Sequence, residues 1–70
     1  MYLAALRSGA GMTQQQAAAA LNVSQSAVTM WETGKTKPRA GKIPNIAKAY
    51  GVTVECILSA LDKDRKGEDT

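Results

Sequence analysis

Histidine and phenylalanine are absent from this 70-residue chain, and cysteine occurs once. Each absence removes a class of chemistry. Without histidine no side chain titrates near neutral pH in its ordinary state, and a single cysteine allows neither an internal disulfide nor a paired-thiolate metal site. No phosphate-binding glycine loop occurs, and no plausible pair of carboxylates stands outside the C-terminal tail, so the sequence offers no enzyme constellation and calls for no cofactor or metal. No apolar run approaches the roughly 18 residues of a membrane span and no signal peptide is visible, which with the lone thiol places the chain in a reducing cytoplasm. Aromatics are scarce, so the core has to be built from Leu, Ile, Val, Ala, Met, Trp31 and Tyr50. Cys56 is expected there too, as a small buried hydrophobe. A chain of this length makes one small helical domain that buries only about 60% of its unfolded surface.

Positive charge is concentrated early. Residues 1–54 carry Arg7, Lys35, Lys37, Arg39, Lys42 and Lys48 against Glu32 alone, a net charge of +5, whereas residues 55–70 carry a net −2. Four of these cations fall between positions 35 and 42, where they can neutralise phosphates along a groove. A solvated basic loop is the plainer alternative.

The stretch that precedes this loop, TQQQAAAALNVSQSAVTMWETG at 13–34, reads as two short helices around a tight break. Thr13 followed by Gln16 is a capping-box signature, and residues 14–21 run through good helix formers without a breaker. Asn22 tolerates the left-handed stop, Val23 tucks inward, and Ser24 caps the next helix. A connection of about three residues forces the helices to cross at a large angle, the geometry of a helix-turn-helix. At 100° per residue Val28 and Trp31 share the inner face of the second helix, about 25–33, and Gln25, Ser26, Thr29, Met30 and Thr33 are left outside. Hydroxyls, an amide and an unbranched apolar side chain suit base edges: Gln pairs with adenine, Ser and Thr bond either way, and Met meets a thymine methyl. Such a face can equally be solvated, and Met is commonly a core gap-filler.

The flanking segments supply the rest of a five-helix, all-α domain over residues 1–61. Residues 2–8 form a short helix packed through Leu3 and Leu6, with no cap ahead of it, stopped by the run Gly9, Ala10, Gly11 before Met12 returns to the core. Gly34 is a left-handed stop, and KTKPRAGK is a loop. Pro44 begins a fourth helix that buries Ile46, Ala47, Ala49 and Tyr50 and ends at Gly51. Thr53 caps a fifth, whose stripe Val54, Ile57, Leu58 and Leu61 is wider than the core needs and is a candidate dimer surface; that the whole stripe is core is the alternative. Leu6, Ala18, Leu21, Val23, Val28, Trp31 and Ile46 are the expected core. Residues 62–70, DKDRKGEDT, are charged, lack apolar side chains, and are expected to be a disordered tail.

These pieces in order, L-R at 6–7, G-M-T-Q at 11–14, A-x-x-L-N-V-S at 18–24, V-T-M-W-E-T-G-K at 28–35, K-P-R at 37–39, I-A-K-A-Y-G-V at 46–52 and I-L at 57–58, resemble the Cro and cI phage repressor family, also called XRE. The likeness covers residues 3–61. It implies a lambda-repressor-like domain with helices 2 and 3 as the helix-turn-helix and helix 3 in the major groove. By position it implies base contacts from Gln25, Ser26, Thr29 and Met30. Phosphate contacts would come from Gln14, which also braces Gln25, and from Thr33, Lys35, Lys37 and Arg39. It makes Arg7 and Glu32 a structural ion pair and Trp31 a core aromatic. Thr33 departs from an Asn common before the loop glycine, which weakens one backbone contact. Ala17 stands where Leu is usual, so packing there is looser or filled by Met12. No Lys or Arg projects from the reading face, which predicts A·T-leaning sites.

The expectation is a sequence-specific transcription regulator of double-stranded DNA, a repressor occluding a promoter, bound as a homodimer to half-sites about one helical turn apart. The rival from another class is an antitoxin that neutralises a protein toxin and uses DNA binding for autoregulation. A restriction-system controller is a variant of the first reading.

Overall fold

Three of the five helices end by the same device, and that device places α3 (Gln25–Thr33) against α2 (Gln14–Leu21). The computed structural model describes residues 2–64 and consists of α1 (Tyr2–Gly9), α2 (Gln14–Leu21), α3 (Gln25–Thr33), a single 3-10 turn (Ala40–Lys42), α4 (Ile43–Tyr50) and α5 (Val54–Asp64), with no strand among the described residues. After α2, α3 and α4 the chain passes through a left-handed residue, Asn22, Gly34 and Gly51 respectively. The following N–H then reaches back to a carbonyl of the last turn: Val23 to Ala18, Lys35 to Met30 and Val52 to Ala47, each at 3.0 Å. This is the Schellman closure, which satisfies carbonyls that a helix end otherwise exposes. After α2 it also redirects the chain within the three residues Asn22, Val23 and Ser24, so α3 starts directly beside the end of α2.

The helix starts are equally specified. Thr13 and Gln16 form the complete capping box, Oγ1 accepting from the Gln16 N–H at 3.1 Å and Gln16 Oε1 from the Thr13 N–H at 2.9 Å. Ser24 accepts from the Ala27 N–H at 3.1 Å, and Thr53 from that of Cys56 at 3.1 Å. Two ends are held by distant side chains. Lys42 donates to the Leu21 carbonyl at 3.0 Å, placing a cation at the negative end of α2. Asp64 accepts from the Tyr2 and Leu3 N–H groups at 2.7 and 2.8 Å, so the last turn of α5 caps α1. The sequence leaves α1 without a local cap and assigns residues 62–64 to the disordered tail. Those residues instead continue α5, where this long-range bond holds the helix end; the remainder of the tail lies outside the described residues.

The core runs through all five helices: Leu3, Ala17, Ala18, Leu21, Val28, Trp31, Ile43, Ile46, Ala47, Tyr50, Ile57, Ala60 and Leu61 are buried, with Leu6, Met12, Val23, Ala49 and Val52 packed at its edge. Ala17 is fully enclosed. The fourth helix begins one residue before Pro44, and Ile43 joins its buried face. The segment expected to be plain loop before it contains the 3-10 turn. On α5 the buried face centres on Ile57 and takes in Ala60 and Leu61, leaving Val54 and Leu58 exposed. The four-residue stripe therefore divides: Ile57 is wholly core, whereas Leu61 is buried but also lines the groove that Val54 and Leu58 border. Cys56, expected to be buried, is exposed because it lies 100° from Ile57 on the side away from Leu61. None of the described helices is long and apolar enough to cross a membrane.

Candidate nucleic-acid interface

Gln25, Ser26, Thr29 and Met30 line one shallow concavity of about 460 Å3 on the outer face of α3. The inner face explains why they are presented outward: Val28 is fully buried, Trp31 nearly so, and Glu32 is 2% exposed, which fixes the rotation of the helix about its axis. With its side chains a helix is about 10–12 Å across, which the roughly 12 Å width of a major groove admits.

Glu32 is the anchor beneath this face. Arg7 Nε donates to its Oε2 at 2.7 Å, with Nη2 at 3.5 Å from Oε1, and Arg7 Nη1 donates to the Met12 carbonyl at 2.7 Å. The pair links α1, α3 and the turn before α2. Its hydrogen bond to Glu32 holds the Arg7 guanidinium above its already high ordinary pKa, against the opposing effect of burial. Tyr50 packs nearby with its hydroxyl buried and without a hydrogen-bond partner. Burial, and secondarily the negative Glu32, pushes the phenol up to about 12.

Gln14, at the first position of α2, connects the anchor to the face. Its Nε2 donates to Glu32 Oε1 at 2.8 Å, and its Oε1 lies 3.5 Å from Gln25 Nε2 and 3.3 Å from the Thr29 hydroxyl. The brace from Gln14 to Gln25 is one the family resemblance implies. The bonds to Glu32 and Thr29 are not, since no local pattern joins residues 15 and 18 positions apart.

The basic loop lies after α3. Gly34, at φ 80°, takes a conformation that a side chain would strain. The Lys35 and Thr36 N–H groups both donate to the Met30 carbonyl, at 3.0 and 3.3 Å, and Pro38 is buried, so the loop is fastened at both ends. Lys35, Lys37 and Arg39 are exposed around that buried proline. Lys42, counted in the basic cluster by sequence, is turned onto Leu21 instead. Thr33 is half-buried, and its hydroxyl donates to the Met30 carbonyl at 3.3 Å.

Two helices joined through Asn22, Val23 and Ser24, the second presenting a polar face over a buried ion pair, define a helix-turn-helix domain. The match of a helix-turn-helix family model to residues 3–55 agrees, and the chain belongs to this family, of the XRE type. Over 54 residues it is 41% identical to the HTH-type transcriptional activator BcrR of Enterococcus faecalis, a match that covers 77% of this chain and 26% of that protein. The chain thus spans about a quarter of the length of this curated relative. No solved structure matches it significantly.

Proposed function

We propose that this chain is a sequence-specific DNA-binding module of a transcription regulator, acting by occupancy rather than turnover, with α3 in the major groove of double-stranded DNA. The observation that carries this reading is the convergence of Gln25, Ser26, Thr29 and Met30 on one face beside a fastened loop bearing Lys35, Lys37 and Arg39. The face supplies base contacts, and the loop with the start of α2 supplies phosphate contacts. Control follows from where the site lies: over a promoter, occupancy represses, the outcome expected from sequence; beside one, it can recruit polymerase. The relative is named an activator.

The module works as a pair of copies on a two-fold site, with equivalent helices about 34 Å apart. Val54 and Leu58 border an apolar groove that Pro38, Ala40, Ile43, Pro44 and Leu61 complete. A two-fold contact would set this apolar groove against its own copy and cover Val54 and Leu58.

Selection of bound sequences from a random duplex pool at fixed, near-physiological salt tests both parts. An enriched palindrome is the expected result. Enrichment of a single half-site would remove the pairing, and Leu58→Lys should convert a palindrome reader into a half-site reader without unfolding it. No enrichment by folded protein would overturn the DNA reading and direct attention to a protein partner.

A further inference from the structure

Four large apolar side chains are exposed among the described residues, Tyr2, Met30, Val54 and Leu58, and of these Met30 alone stands on the face that Gln25, Ser26 and Thr29 share. Lys63 lies over the Tyr2 ring at 5.0 Å, and Val54 and Leu58 border the groove assigned above to a second copy. Nothing among the described residues covers Met30 in the same way, and the rotation of α3 that buries Val28 and Trp31 holds its side chain outward, 37% exposed. The polar groups around it are largely engaged: the Thr29 hydroxyl lies 3.3 Å from Gln14 Oε1, Gln25 Nε2 lies 3.5 Å from the same oxygen, and the Thr33 hydroxyl donates to the Met30 carbonyl. Ser26 stands one turn before Met30, at the spacing that makes two side chains neighbours on a helix.

Resting on the DNA-reading function proposed above, we infer that Met30 and Ser26 form a subsite for a 5-methylpyrimidine, so that this part of α3 recognises a methyl group rather than one particular base. The hydrogen-bonding edge that a base pair shows in the major groove is polar, and its apolar group is the C5 methyl of the pyrimidine. An unbranched thioether adapts to such a group, and contact withdraws the apolar surface of both from water. The neighbouring ring position differs between the two methylated pyrimidines: thymine presents the O4 acceptor, 5-methylcytosine the N4 donor. Ser26 suits either, because a hydroxyl both donates and accepts. The pair is thus selective for the methyl and tolerant of the group beside it. Enzymatic methylation of a cytosine at this position would create the contact that thymine carries from the start, and would tighten binding without a change of base sequence.

The test uses the full chain and its selected operator. Met30→Ala first identifies the base pair that Met30 faces, as the one whose preference disappears. Thymine, uracil, 5-methylcytosine and cytosine are then compared there, each opposite its ordinary partner. Each methyl should tighten binding about three- to fivefold per half-site, thymine over uracil and 5-methylcytosine over cytosine alike, the value of one methyl withdrawn from water. In Met30→Ala both ratios should fall close to unity, with the melting temperature little changed because the side chain removed is an exposed one. Three outcomes would overturn the subsite: uracil bound as well as thymine, a methyl gain for thymine with none for 5-methylcytosine, and a Met30→Ala protein that keeps every preference of the unaltered one. An unaltered protein that enriches no sequence fails earlier, at the DNA reading itself.

Discussion

Arg7→Met should remove about half of the domain's stability while leaving its surface charge pattern almost unchanged. Glu32 lies at the junction of α1, α2 and α3, with its side chain 3% exposed, and Arg7 brings it a bond at 2.7 Å and a second approach at 3.5 Å. Breaking a buried pair by removing one partner typically costs about 3–5 kcal/mol, because the remaining charge stays desolvated. Gln14 continues to donate to Glu32, which favours the lower part of that range. Loss of the Arg7 bond to the Met12 carbonyl adds about 0.5–1.5 kcal/mol. A domain of this size holds roughly 4–10 kcal/mol in total. Urea unfolding followed by fluorescence of the buried Trp31 measures the difference, and the melting point should fall by about 12 °C or more. A loss below about 1 kcal/mol, the value of an exposed pair, would refute the argument that Glu32 depends on Arg7. Replacing both residues, Arg7→Met with Glu32→Leu, should be less damaging than Arg7→Met alone, since no charge is then stranded.

Tyr50→Phe removes a buried hydroxyl that has no partner and should be neutral or stabilising by up to about 1 kcal/mol at pH 7. Its folded-state pKa is raised from 10.0 to about 12, so the neutral phenol's contribution is complete below pH 10 and is lost as pH rises through about 12. Alkaline titration of stability should therefore show a loss of at most about 2–3 kcal/mol from this group, absent in Tyr50→Phe. Asp64→Asn should cost about 1 kcal/mol and raise amide exchange at the start of α1, because the carboxylate accepts from the first two N–H groups of that helix. Gln25→Ala should cost roughly 1–3 kcal/mol at the selected site and little on random DNA, whereas Lys37→Ala should weaken all sequences alike and flatten the salt dependence by about one unit; identical behaviour of the two would refute the division into base and phosphate contacts.

What was legible in the sequence is what neighbouring residues decide. Thr13 with Gln16, Asn22 with Val23, Ser24, Gly34 and Thr53 each carry their structural instruction within three or four positions, and the helices start and stop where those residues place them. Periodicity within α3 likewise separates Val28 and Trp31 from the outward set. The apolar stripe of α5 was harder, because four large side chains suggest one face while the packed face is rotated toward Ala60, a residue too small to stand out. Asp64 and Lys42 escaped notice for another reason. Each looks like an ordinary surface charge, and each is drawn to a helix end 61 or 21 positions away in sequence.

The same limit explains why the site was visible residue by residue but not as a mechanism. A list of Gln14, Gln25, Thr29 and Glu32 contains three groups that can donate or accept and one that only accepts. Taken separately, none of the three has a direction. Once Glu32 is buried against Arg7 it becomes a fixed acceptor, and each polar contact outward from it inherits an order: NH2 of Gln14 toward Glu32, oxygen of Gln14 toward α3, donors of Gln25 and Thr29 inward. Burial therefore does more than stabilise the pair. It turns a reversible amide into a directed one, so the ion pair that holds α1 against α3 also sets the hydrogen-bond order at the outer face of α3, although neither charged group lies on that face.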